Sequence, residues 1–348
     1  MRSCLLTFGL IGLNGSNRFY LVLFAFIFLF CACGGKDEGD GKGKNIDGNP
    51  KEIDTIEASN TNPNVGLMPT AKPENIATDN KEKYLLRYRF QKGDEYRWNV
   101  VQQLKIDTTI KGTNELVETF SDSVKVWTVL EVDKENIAKF EYKVEGVTMR
   151  KFQTGQDVSS YDSSTDKIIP DGFRSLEGTI GVPLAHFMID AKGVIRRKIP
   201  LKIYSDENRE NKIVIHLPDN PIAVGDSWSV DLPVIDVPIG STTDKTKKVS
   251  AKQRFSLESV RTGMATIKFD TLVLTPLEPA MQSKILDHYA VGDLMLDIDV
   301  GRIVSQRITV DKTIVGFVER NDSIHHISRL TECSCGLRSC PVCGVKKK

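Results

Sequence analysis

From Tyr84 onward the chain contains long stretches rich in β-branched and aromatic residues, and this pattern most constrains its fold. Apolar and polar residues alternate in Ser123–Leu130 and in Ala265–Asp270, as in antiparallel strands with one face in water. Six such stretches occur: Glu95–Ile110, Val117–Val132, Ile137–Phe152, Lys247–Val260, Met264–Leu274 and Arg302–Val318. We therefore predict a mainly β protein, built as a curved antiparallel sheet or a partly open barrel.

Signals for helices are few. Pro279–Tyr289 has a proline at an early helical position and apolar residues at Met281 and Ile285. Pro170–Ile180 can hold a second short helix. The predicted fold therefore carries one or two short helices.

Two pairs of segments are similar in sequence and suggest an internal duplication. Lys92–Trp98 and Val224–Val230 each place a Gly-Asp turn before an aromatic strand, and Ile189–Ile195 resembles Ile298–Val304. The prediction is two related β-rich halves, residues 84–220 and 221–332. Chance similarity is the alternative, because such turns are common.

The first residues resemble the export signal of a bacterial lipoprotein. Phe19–Phe30 is an apolar run too short to span a membrane, which takes about 20 residues, but suited to a signal of about 7–15. In Phe30–Cys33 a small residue, Ala32, precedes a cysteine, as in the lipoprotein box. The resemblance implies that residues 1–32 are removed and that Cys33 carries the acyl chains, palmitate among them. An uncleaved signal anchor and an ordinary cleaved signal are the alternatives.

Residues 33–83 are predicted to be a disordered tether. Gly34–Lys83 has no aromatic residue and is rich in charged residues, Gly, Asn and Pro, so it cannot bury enough apolar area to offset its ordering entropy. We expect an exported protein, lipid-anchored in the bacterial cell envelope on a membrane that faces the periplasm or the cell surface.

The tail at residues 333–348 holds four cysteines: Cys333, Cys335, Cys340 and Cys343. Four thiolates suit a tetrahedral zinc, and CPxCG resembles half of a zinc ribbon. However, only residues 336–339 separate the two pairs, and exported cysteines usually form disulfides. Disulfides are therefore the main prediction for this tail. Zinc as a cofactor is the second alternative, and an ending that is not native to the family is the third.

No nucleophile elbow, zinc-protease motif or phosphate-binding glycine loop is present in the sequence. Asp287 and His288 are adjacent, but no nucleophile can be placed beside them. Asp293, Asp297 and Asp299 resemble the start of a calcium loop, yet its usual glutamate is missing, and a hydrated strand face is the better interpretation. We predict no catalytic residues.

The body also resembles an uncharacterised family of secreted bacterial lipoproteins. The similar segments are Lys92–Tyr96, Val124–Val129, Gly181–Leu184 and Ile189–Ile195. The family has no known function, so the resemblance implies no mechanism and no site residues. The predicted curved sheet is also similar to that of lipoprotein carriers of the LolA type, which is an analogy of fold alone.

Charge limits the possible partners. The chain has 47 Lys and Arg against 46 Asp and Glu, a net charge of +1, so no bulk positive field exists to bind nucleic acid. The prediction is a membrane-anchored, non-enzymatic protein that binds an apolar ligand or acyl chain. A structural or protein-interaction module of the envelope is the alternative, and an envelope hydrolase using Asp287 and His288 is a third.

Overall fold

The computed structural model describes residues 82–202, 213–240 and 245–334. Within these ranges the chain forms β-strands with short helical turns between them. The strands are β1 Lys83–Tyr84, β2 Glu95–Ile110, β3 Thr113–Val132, β4 Ala138–Gln153, β5 Ser159–Asp162, β6 Pro183–Ile189, β7 Ile195–Pro200, β8 Ile222–Ala223, β9 Ser227–Asp231, β10 Ile235–Pro238, β11 Thr246–Val249, β12 Ala251–Arg261, β13 Met264–Val273, β14 Val291–Asp297, β15 Arg302–Val315 and β16 Ser323–Cys333. The helical turns are α1, Pro279–Gln282, and the 3-10 turns Asp171–Leu176 and Leu286–His288.

One large antiparallel sheet dominates the structure, in the order β7-β6-β4-β3-β2-β16-β15-β14-β13-β12-β9, with β5 beside β4. The sheet is not closed into a barrel. The predicted fold class, mainly β with a curved antiparallel sheet and short helices, is confirmed. Two small ladders, β1 with β8 and β10 with β11, complete the pairing.

The large sheet consists of two meanders that meet at the pairing of β2 with β16. From this pairing, successive strands β2, β3, β4, β6 and β7 lead to one edge of the sheet. Strands β16, β15, β14, β13, β12 and β9 lead to the other edge. Eleven residue pairs join β2 to β16, from Asn99 opposite Cys333 to Thr109 opposite Ser323. Neither this ladder nor that of β2 with β3 contains a register shift, so side chains alternate regularly between the two faces.

The core lies on one face of the sheet, which we call the inner face. In the first meander it carries Trp98, Trp127 and Phe140, and in the second Phe255 and Leu294, all buried. Trp228 is partly buried and stacks on Phe255, with 5.1 Å between the ring centroids. All three tryptophans therefore lie in the core or pack against it.

Two extended segments, residues 84–90 and 213–223, pack against the core on the inner face. The Tyr88 amide donates to the carbonyl of Ala191 (2.8 Å), and the Arg89 amide donates to that of Gly301 (3.1 Å). The first segment therefore ties the β6–β7 turn to the β14–β15 turn. The Leu217 amide also donates to Lys192 (2.8 Å), so the second segment is held at the β6–β7 turn.

The two predicted Gly-Asp turns have matching hydrogen bonds. Gly93 donates to Val129, which donates to Asp94; in the same way Gly225 donates to Leu257, which donates to Asp226. These bonds attach each turn to the next strand of its own meander. The duplication itself stays a prediction, as do the boundaries at residues 84, 221 and 333.

Three local expectations differ from the structure. Lys247–Val260 is two strands, because at Ser250 the chain leaves β11, which pairs with β10, and enters β12, which pairs with β13. The predicted helix Pro279–Tyr289 divides into α1 and a 3-10 turn, because Ile285 (φ −126°, ψ 29°) interrupts it. The helix predicted within Pro170–Ile180 is a 3-10 turn. In the described part of the chain, no helix could span a bilayer.

Gly301 tests the contact that ties segment 84–90 to the sheet. Its φ is +71°, and an added Cβ would lie 2.7 Å from the Arg89 nitrogen and 2.8 Å from the Arg87 oxygen. Gly112 has a similar φ of +77° with nothing within 4 Å of an added Cβ. Gly112→Ala should cost about 1–2 kcal/mol through backbone strain alone.

Gly301→Ala should lower the free energy of unfolding by about 1–3 kcal/mol more than Gly112→Ala, because the added Cβ also overpacks the backbone of segment 84–90. Urea unfolding of the two variants measures this difference. Equal losses would contradict the close contact.

Candidate functional site

Five strands, β4, β3, β2, β16 and β15, extend beyond the tryptophan core and form what we call the distal sheet. The strand register identifies the side chains on its inner face. Leu104 lies opposite Thr119 of β3 and Ser328 of β16. Ile106 lies opposite Val117 of β3 and His326 of β16. The same register places Lys151 opposite Thr119 and Glu115 opposite Thr108, so the inner face here carries apolar, polar and charged groups. It is continuous with the main core, against which Ile308 and Leu330 pack.

A first lid, residues 163–181, covers one side of the distal sheet. Its Phe173 is buried in a cluster with Val147 of β4 and Tyr161 of β5, and Met149 packs against the same cluster. The Tyr161 and Phe173 rings lie 6.5 Å apart. The lid includes the second half of the Ser- and Asp-rich stretch Gln153–Asp171.

A second lid, residues 274–290, covers the opposite side. Its Asp287 carboxylate lies 3.2 Å from Nε2 of His326, and Nζ of Lys312 lies 4.6 Å from the ring centroid of Tyr289. Register places both Lys312 and His326 on the inner face, as a cross-strand pair of β15 and β16. The lid is therefore held on the inner face by the close approach of Asp287 to His326 and by a cation–π contact.

Between the lids, the inner face of β2 and β3 forms the floor of a trough. The floor side chains are all half-buried: Gln102, Leu104, Ile106, Val117, Thr119 and Ser121. Four strand spacings separate β4 from β15, which makes the trough about 19 Å across. An elongated ligand can lie along the strands on this floor with apolar groups beneath it.

The environment of the second lid is poorly solvated. Burial raises the pKa of Tyr289, so its phenol stays neutral and its ring faces the Lys312 ammonium. His326 is 4% exposed, and its Nε2 has no hydrogen-bond partner of good geometry among the described residues. Thus a half-buried cation and a buried imidazole form one wall of the trough.

The outer face of the sheet is polar and its charges neutralise one another. A groove of about 900 Å³ there is lined by residues of β12 to β15. Arg254 pairs with Asp270 (3.0 Å) and Arg307 with Asp293 (3.1 Å), across neighbouring strands. These pairs account for the groove as a hydrated sheet surface and leave no uncompensated charge for a ligand.

The sequence candidates for catalysis, Asp287 and His288, both lie in the 3-10 turn Leu286–His288 of the second lid. Asp287 contacts His326, whereas the sequence pairs it with His288. Among the described residues no hydroxyl or thiol is hydrogen-bonded to His326. His325 lies on the outer face, 2.9 Å from Asp311, so the two adjacent histidines are on opposite faces of β16.

Two further polar residues have structural positions. His186 lies on the outer face beside Glu141 (3.6 Å), because Ala185 and Phe187 alternate with it and face inward. Asp297 accepts the amides of Asp299 (3.0 Å) and Val300 (2.9 Å) and so caps the β14–β15 turn. Asp293 lies on the outer face of β14 beside Arg307, as the strand interpretation predicts, whereas Asp297 ends the strand and Asp299 lies in the turn that follows.

Most predicted anchor and metal residues lie outside the described residues: Cys33, Cys335, Cys340 and Cys343. Cys333 ends β16 and is disulfide-bonded. In the ranges that the structure describes, no group of three or more His, Cys, Asp and Glu is placed to hold a metal ion. For Cys335, Cys340 and Cys343, the disulfide and zinc alternatives stay predictions.

Comparisons with known proteins add little. No family model matches the sequence, and no curated protein matches it. A solved structure on lipid–protein interactions in lipovitellin is similar with a TM-score of 0.38 and 12% identity, over 74% of this chain. The chain spans 27% of the lipovitellin chain. At this TM-score the similarity carries no argument, so the function must be inferred from the chain's own residues.

Proposed function

We propose that this protein is an exported, membrane-anchored, non-enzymatic lipoprotein whose trough binds an apolar ligand such as an acyl chain. The observation that carries the proposal is the row of half-buried apolar side chains on the trough floor, Leu104, Ile106 and Val117. Binding pockets for small ligands are concave and mostly apolar, with few polar groups. On the trough floor, Leu104, Ile106 and Val117 form such an apolar patch, with Gln102, Thr119 and Ser121 as the polar groups around it.

The contrast between the two faces of β2 supports a ligand on the inner face. Gln103 and Lys105 alternate with Leu104 and Ile106, and they face outward with charged and polar neighbours such as Glu118. A strand whose outer face alone meets water should have a packed inner face. Here the inner face changes from buried at Val100 to half-buried at Leu104 and Ile106, and it leaves apolar area for an occupant.

Polar substitutions on the floor test this proposal. Leu104→Asn and Ile106→Asn should each weaken the binding of dodecanol about tenfold, because a side chain that loses apolar contact with a ligand costs about 1–2 kcal/mol. Affinity is measured by displacement of Nile red from the purified body. Gln103→Asn and Lys105→Asn, on the outer face of the same strand, are the matched controls and should bind as wild type.

Circular dichroism and thermal unfolding establish that the four variants are folded. Equal affinity in all four variants, or no displacement by dodecanol in the wild type, would contradict a ligand in the trough. A specific protein captured in place of an alkyl ligand would favour the envelope interaction module instead.

The anchor is tested separately at Cys33. Cys33→Ser should release the protein from the membrane fraction and remove the mass of the acyl chains, since stable anchoring takes two or more chains. Intact mass spectrometry of the membrane-extracted protein measures both. Cys31→Ser is the control and should stay acylated; loss of the anchor in this variant instead would move the site to Cys31.

A further inference from the structure

Lys312 stands at the wall of the trough. It lies on the inner face of β15, four residues beyond Ile308, and its cross-strand neighbour on β16 is His326. Its side chain is half-buried under the second lid, with Nζ over the Tyr289 ring. This lysine is therefore a cation placed beside the apolar floor, away from the polar outer face.

Among the described residues, no carboxylate lies within ion-pair distance of the Lys312 ammonium. The nearby Asp287 carboxylate lies 3.2 Å from Nε2 of His326. On the outer face the pattern is different, because Arg254, Lys268 and Arg307 each have a carboxylate partner. Lys312 thus differs from these three outer-face cations in contacting an aromatic ring, as Lys198 contacts the Phe187 ring at 5.6 Å.

A half-buried ammonium loses part of its hydration, and a cation–π contact compensates for only some of that loss. An anionic group on a ligand compensates for the remaining loss of hydration, because it accepts a charge-assisted hydrogen bond from the ammonium. The groups beside Lys312 fit such a ligand: apolar floor residues for a chain, and one ammonium for its head.

We propose that Lys312 receives the carboxylate of a long-chain carboxylic acid whose alkyl chain lies along the trough floor. The inference rests on the proposed function and adds the chemical class of the ligand. The Tyr289 ring orients the ammonium, and Leu104, Ile106 and Val117 contact the chain. A neutral alcohol has the same chain and lacks the charge, and an alkylamine carries the wrong charge.

Three ligands with the same chain test the proposal: dodecanoate, dodecanol and dodecylamine, each used to displace Nile red. Wild-type protein should bind dodecanoate at least about tenfold more tightly than dodecanol, as expected for a hydrogen bond between charged groups, and dodecylamine most weakly. Acetate at the same concentration should displace nothing, which separates a chain-borne carboxylate from a free anion.

The Lys312→Met variant should lose the preference for dodecanoate and keep its affinity for dodecanol within about twofold. Retained dodecanol binding shows that the variant is folded. Lys312→Arg should keep the preference, and Lys248→Met, at an exposed lysine of β11, is the matched control that should keep it too.

Two failures are distinguishable. If wild-type protein binds none of the three ligands, the proposed function falls. If it binds dodecanoate and dodecanol equally, or if Lys312→Met keeps the preference, the carboxylate site at Lys312 is contradicted. Binding of an apolar ligand in the trough is still supported in that case.

Discussion

The pairing of β2 with β16 is the constraint on which the rest of the structure depends. It joins strands from the two ends of the body, Asn99 with Cys333, and turns two meanders into one sheet. Such a long-range ladder forms late, because its loop-closure entropy is lost before its contacts are gained. Through its unbroken register, the inner face of one meander continues into that of the other, and the trough exists only because β2 and β3 lie beside β16 and β15.

Much of the fold could be predicted, because the alternation of apolar and polar residues along a strand is visible in a short stretch of sequence. The bounds of β2 match the predicted Glu95–Ile110, and β13 and β15 match within three residues at each end. The sequence did not single out β16, Ser323–Cys333, whose histidines, serine and charges interrupt its apolar pattern. It is nevertheless paired on both sides, so tertiary pairing decides its structure where local propensity does not.

Less of the candidate site could be predicted. Amphipathic strands suggested a sheet that holds an apolar ligand. Which side chains lie together on one face, however, depends on the register between strands more than 200 residues apart. Asp287 meets His326 and Lys312 meets Tyr289 because the second lid folds back over the inner face. The sequence shows Lys312 as a cation at an inner position of the alternating strand Arg302–Val315. Its contact with Tyr289 follows only from the position of the second lid.

The most direct test of the central claim is to map where a bound chain touches the protein. A long-chain carboxylic acid with a diazirine in the middle of the chain is photolysed with the full-length protein, and the labelled residues are identified by mass spectrometry. The account predicts labels on Leu104, Ile106 and Val117, on the inner face of β2 and β3. Labels confined to outer-face positions such as Gln103, Lys105 and Glu118 would contradict it.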